Sequence, residues 1–109
     1  MIIKEKISAE ELKRLFDNSF GTMLKIVVDI EKEILSAGGE YHIDCSEELV
    51  EKEDSNQKNL WGANLHSDGR IDFNSLINIK PLENNRSMEI QDPVIRQKVE
   101  KIIIKLLCK

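Results

Sequence analysis

The sequence predicts a small α+β domain in which N-terminal and C-terminal helices pack with an antiparallel sheet. Three features carry that prediction: a capping box followed by an apolar stripe near the N-terminus, a β-hairpin pattern over about 59–80, and an Asp-Pro start followed by apolar residues at helical spacing over 92–107. With 109 residues, 40% hydrophobic and 33% charged, the chain can bury one core and has no room for two, so a single domain over 1–109 is expected. Sixteen basic residues against twenty acidic ones leave a net charge of −4. That balance argues against phosphate-backbone binding, so nucleic acid is not an expected partner.

Taken in order, Ile2 to Ile7 is short and β-branched, which suits an edge strand or an extended lead-in. Ser8-Ala9-Glu10-Glu11 has capping-box spacing, and Leu12, Leu15 and Phe16 follow on one helical face until the pattern stops near Asn18-Ser19-Phe20-Gly21. Met23 to Ala37 fits two descriptions. Met23, Ile26, Val27, Ile30, Ile34 and Ala37 share one side of a helical wheel, with Gly38-Gly39 as a stop, and the segment is assigned to helix on that ground. The β-branched content of Leu24 to Val28, with Glu31-Lys32-Glu33 as a turn, supports a hairpin instead. Glu40 to Asp44 reads as extended, and Ser46 to Lys52 as a helical turn or two capped by Ser46.

In Leu60 to His66, Trp61, Ala63 and Leu65 point one way and Gly62, Asn64 and His66 the other. Ile71 to Lys80 reads as the second strand, with Ile71, Phe73, Ser75, Ile77 and Ile79 on one face and Ser67-Asp68-Gly69-Arg70 as the turn between. Pro81 ends that strand and a polar loop runs to Gln91. Asp92 at the N-cap and Pro93 at the first helical position then open the last helix. Val94, Ile95, Val99, Ile102, Ile103, Leu106 and Leu107 form its apolar face, and Lys101, Lys105 and Lys109 suit its negative end.

Three polar groups could carry chemistry. If 40–44 is extended, Glu40, His42 and Asp44 project from one face, where His42 and Asp44 are the candidate catalytic acid/base pair; a solvated strand face is the plain alternative. Asn64, His66, Asp72, Asn74 and Asn78 gather on the hairpin's non-core face and could bind a polar ligand, or simply wet one side of a sheet. Asn84-Asn85-Arg86-Ser87 offers amides and a guanidinium that suit a carboxylate or phosphate, or else a turn in which Arg86 pairs with Glu89 or Asp92. Trp61 is a core residue or a binding platform, and its indole N–H needs a partner. The same extended Glu40, His42 and Asp44 could supply two or three metal ligands, but a metal site needs a third or fourth, so no metal is assigned, and the residues name no cofactor.

Cys45 and Cys108 are too far apart for a metal pair and too few for a disulfide scaffold, so both read as free thiols of a reducing compartment. The N-terminus turns charged before an apolar h-region could form, and no apolar run approaches the ~20 residues that cross a bilayer. A cytoplasmic protein is expected, with no membrane partner.

The segments Gly39-Glu40-Tyr41-His42-Ile43-Asp44, Asn59-Leu60-Trp61-Gly62-Ala63-Asn64, Asp72 to Pro81 and Asn85-Arg86-Ser87-Met88-Glu89-Ile90-Gln91-Asp92, taken as a set, resemble DUF5674, a family of small uncharacterised proteins of bacteria and archaea. The resemblance covers nearly the whole chain and implies no activity. It directs attention to Glu40, His42, Asp44, Trp61, Gly62, Asn64, Ser75, Asn78, Asn85 and Arg86. The chain departs from the family pattern at Lys52-Glu53-Asp54-Ser55, where relatives tend to place a glycine before the serine.

Two kinds of function follow. The leading one is interaction with a second copy or a protein partner, through an exposed apolar patch expected along the C-terminal helix, where Ile104 lies outside the main stripe. The alternative is a binding module or enzyme for a small polar or anionic ligand. It requires His42, Asp44, Asn78 and Arg86 to converge in one cleft, with Glu40, Trp61, Asn64 and Asn85 as further candidate ligand-binding residues.

Overall fold

A computed structural model describes residues 1–19 and 21–108. Phe20, at the expected end of the first helix, and Lys109, expected at the end of the last, lie outside the described residues. The elements run β1 (Ile2–Ile3), α1 (Ala9–Asp17), β2 (Met23–Asp29), β3 (Ile34–Ala37), α2 (His42–Glu53), β4 (Leu60–His66), β5 (Ile71–Asp72) and α3 (Pro93–Leu107). The five strands form one antiparallel sheet in the order β1-β3-β2-β4-β5, and the fold is α+β as expected.

Alternation along the strands gives the sheet two different faces. On one, Leu24, Ile26, Val28, Leu35, Trp61, Ala63 and Leu65 meet Val99, Ile102, Ile103 and Leu106 of α3, with Leu12, Leu15 and Phe16 of α1 packed alongside. On the other, Val27, Ile34 and Leu60 meet Cys45 and Leu49 of α2, with Ile77 beside them. Burial of the first set is the larger source of hydrophobic stabilisation.

Both terminal helices begin as their sequences require. The Ser8 hydroxyl accepts the Glu11 N–H at 3.1 Å while the Glu11 carboxylate faces the Ser8 N–H, and Asp92 accepts the Val94 N–H at 2.8 Å ahead of Pro93.

Three segments depart from expectation. Met23–Asp29 and Ile34–Ala37 are the two strands of a hairpin, so the helix assigned to 23–37 does not form. The turn is organised by Asp29, a buried residue whose carboxylate accepts the N–H groups of Glu31 and Lys32 and the Ser55 hydroxyl, and by Glu33 with φ +56°. The β-branched run that favoured a hairpin prevails because β2 lies at the sheet's centre, buried on both faces.

Next, α2 starts at His42, four residues before the expected Ser46 cap, so 40–44 is not an extended strand and Glu40, His42 and Asp44 do not share a face. Asp44 accepts the Tyr41 N–H at 3.1 Å and thereby closes the helix start that Ser46, itself buried, was expected to make. The helix ends on Asp54 at φ +55°, ψ +36°, so this chain keeps with aspartate the left-handed position where its family resemblance calls for glycine.

Finally, pairing in the predicted 59–80 hairpin stops at Asp72. Beyond it Ser75 turns the chain, its hydroxyl accepting the Ile77 N–H at 3.3 Å, and short 3-10 turns at Leu76–Asn78 and Pro81–Glu83 replace the strand. The result is a strap of chain over 73–91 lying along the open edge of β4.

Candidate functional site

Because β5 is short, Gly62 of β4 has no strand neighbour on its outer edge, and the Asn78 side chain takes that place. Its Oδ1 accepts the Gly62 N–H at 2.7 Å, and its Nδ2 donates to the carbonyls of Gly62, Phe73 and Met88 at 2.9, 3.1 and 3.0 Å. Asn85 repeats the device: Nδ2 donates to the carbonyls of Asn78, Ser87 and Glu89, and Oδ1 accepts the Gln91 N–H. Both amides are buried, and each bonds at both ends. Gly62 itself must stay small, because a Cβ there would lie 2.5 Å from Ser75 Cβ.

The remaining candidates separate from that knot. Trp61 is core, with Lys80 Nζ 5.5 Å from its ring centre; its indole N–H is buried with no partner among the described residues. Arg86 is exposed, its backbone N–H bonded to the Gln91 side chain, and it makes no ion pair with Glu89 or Asp92 among the described residues. Glu40 is exposed beside a shallow cavity of about 360 Å3 that also includes Lys25, Gly38 and Gly39. Asp44 is exposed and occupied with its cap. Of the four residues required to converge, His42 lines a groove that could admit a ligand, while Asn78 is buried with its amide bonded to backbone, Asp44 is held in its cap and Arg86 is exposed on the strap.

That cavity is a groove of about 320 Å3 between the start of α2 and the strap, walled by Tyr41, Ile43, Leu76, Ile77 and Met88, with Lys25, His42 and Ser75 also contributing. His42 is positioned from below. Its Nε2 lies 2.9 Å from the carbonyl oxygen of Ala63, over the seam where Ala63 of β4 faces Ile26 of β2. A carbonyl only accepts, so Nε2 carries the proton and Nδ1 holds the free lone pair. Burial lowers the His42 pKa, the Ala63 carbonyl opposes that shift, and the Lys25 charge reinforces it, so the ring is neutral near pH 7.

Behind His42 runs a polar chain. Asp72 accepts from His66 Nε2 at 2.6 Å and from Asn64 Nδ2 at 2.8 Å, and Asn64, opposite Lys25 in the sheet, presents its amide to the His42 ring. The Asn64 Oδ1 is buried and has no partner among the described residues. Desolvation opposes the charge on Asp72, but its bonds from His66 and Asn64 prevail and lower its pKa.

Lys25 is the residue that sequence reasoning missed. The signal was present: an isolated lysine between the apolar Leu24 and Ile26 of a central strand must send its charge to the opposite face.

The description "Protein of unknown function (DUF5674)" matches residues 1–106. The chain belongs to the DUF5674 family. No curated protein and no solved structure matches it. Among the described residues no cluster of three or more His, Cys, Asp or Glu could hold a metal ion, and no helix is long and apolar enough to cross a membrane.

Proposed function

We propose that this DUF5674 chain is a protein-interaction module that receives an apolar side chain of its partner in the groove between α2 and the strap. The observation that carries this reading is the exposure of large apolar residues around one concavity: Leu76 is 71% exposed and Tyr41 59%, with Ile43 and Met88 also exposed beside them. Apolar surface grouped this way on a small protein marks a contact site. Farther along the same strap Ile79 is exposed and Leu82 is 99% exposed, so apolar surface continues past the groove itself. The patch lies here rather than along α3, where the expected site reduces to Val94 and Ile104, ten positions apart.

The two free thiols, Cys45 buried and Cys108 partly so, support a reducing compartment such as the cytoplasm as the place where the module works.

Site-specific photo-crosslinking tests the reading. A photoreactive side chain at position 76 is expected to give one discrete adduct in cells, which Tyr41→Asp in the same chain removes. The same group at Lys98, exposed on α3, is the control. Adducts at 76 that match those at 98, or that persist in the Tyr41→Asp chain, would sink the docking reading.

A further inference from the structure

The groove is apolar along its walls but not at its base, and that asymmetry says what kind of side chain or terminus it takes. Lys25 contributes a cationic head, and it forms no ion pair or side-chain hydrogen bond among the described residues, in a protein whose net charge is −4. Beside it stands His42, whose ring is pinned through Nε2 and offers Nδ1. His42 and Ile43 are also the first two residues of α2, so the positive end of a twelve-residue helix faces the same end of the groove. Beneath them Asn64 keeps a buried Oδ1 without a partner next to the His42 ring.

An occupant complementary to these features is apolar for the length of one side chain and negative immediately beside it. Lys25 and the start of α2 suit the negative end, while the two acceptors there, His42 Nδ1 and the Asn64 Oδ1 beneath it, suit an adjoining amide N–H. A polypeptide's last residue has all three parts within a few bonds: side chain, α-carboxylate and backbone N–H.

We infer that the groove binds the C-terminal residue of a partner polypeptide, an aliphatic side chain lying between Ile43, Leu76 and Met88 and the terminal carboxylate resting on Lys25. The inference rests on the docking reading above and narrows it to chain ends. Lys25 supplies charge selectivity, while the apolar walls supply most of the contact area.

The test uses the whole chain, isotopically labelled, with three probes followed by NMR: an acetylated Gly-Ser-Gly-Ser-Leu pentapeptide as the free acid, the same peptide as the C-terminal amide, and 4-methylpentanoate. The free acid is expected to shift the amides of Lys25, His42, Ile43 and Leu76 and to bind at least tenfold more tightly than the amide. Lys25→Gln, a partly exposed position whose fold the spectrum itself verifies, should erase that tenfold difference and leave the amide's affinity unchanged.

Equal affinity for acid and amide would overturn recognition of a chain end while leaving apolar docking intact, whereas a position-76 adduct that matches the one at Lys98 or persists in the Tyr41→Asp chain would sink docking itself. If 4-methylpentanoate binds as tightly as the free-acid peptide, the occupant is a small carboxylic acid and the inference fails. It fails also if the free acid leaves the groove residues unshifted at millimolar concentration.

Discussion

The β4 side of the molecule has a fastened end, the amide knot of the strap over 73–91, and an open end, the groove between that strap and α2, and the two use similar residues to opposite effect. At the fastened end Asn78 and Asn85 each meet backbone partners with both amide atoms, and neither has solvent access. Toward the open end His42 is held by one nitrogen, Asn64 leaves an oxygen without a partner, and Lys25 makes no ion pair among the described residues. Polar residue type therefore does not mark the site. What marks it is bonding capacity that the fold leaves unused, since a saturated amide serves as backbone and an unsaturated one is available to something else.

The sharpest way to break that contrast is at Asn78. Asn78→Ala leaves the buried Gly62 N–H and C=O without partners, while the Phe73 and Met88 carbonyls keep the N–H groups of Ile90 and Ser75; at roughly 1–3 kcal/mol for each unpaired group, a loss of about 4 kcal/mol is expected in urea unfolding. Against a typical domain stability of about 5–15 kcal/mol, that brings the variant near unfolding. A loss under about 1 kcal/mol would mean that the strap does not depend on the amide.

A smaller effect is expected one layer beneath. Gly62→Ala sets a methyl 2.5 Å from Ser75 Cβ and 2.6 Å from its hydroxyl, which forces the strap outward at a cost of about 2 kcal/mol. Pairing it with Ser75→Gly removes the clash and should restore part of the loss, after allowance for the missing Ser75 turn bond. No recovery in the double variant would show that the two positions do not press on each other.

The terminal helices and β4 were legible because their signals are local: Ser8 with Glu11, Asp92 with Pro93, and the alternation around Trp61 each act within a few residues. Legibility failed where a distant partner decides. Residues 23–37 satisfy both a helical and a strand period, and the choice falls to strand neighbours β1 and β4, far away in sequence. Past Asp72 the alternation Phe73, Ser75, Ile77, Ile79 imitates a strand, yet Asn74 and Asn78 are poor strand residues, and Ser75 bends the chain into a turn. The same reasoning explains the candidate site. His42 was legible as a candidate, but its register on α2 was not, and nothing local tells that Asn78 is consumed by Gly62 while Lys25 is left without an ion partner among the described residues.

At the groove rim the expected effect on stability nearly vanishes. Leu76→Asp replaces a mostly exposed side chain on the strap's outer surface, so unfolding should change by no more than about 0.5 kcal/mol. Comparing this variant with Asn78→Ala, two residues away, isolates the contrast between a surface kept for contact and a side chain kept for structure. A loss approaching that at Asn78 would place Leu76 in the fold's support and remove the ground for reading the groove as a docking surface.

The subtlest test is the pH dependence of stability. Burial lowers the folded-state pKa of His42 below its ordinary 6.5, so just under that pH the unfolded chain binds a proton that the folded chain does not. Stability should then rise with pH through the window from the folded value up to about 6.5 and level off above it. His42→Gln, which retains a side-chain donor for the Ala63 carbonyl, should flatten this window while leaving stability at pH 8 nearly unchanged. Asp72 acts in a separate range: its lowered pKa gives stability that is present above its ordinary 3.8 and lost at more acidic pH, and that limb should survive in the His42→Gln variant. If the upper limb also persists without His42, its source lies elsewhere and the ring is not the buried neutral group on which the groove's open nitrogen depends.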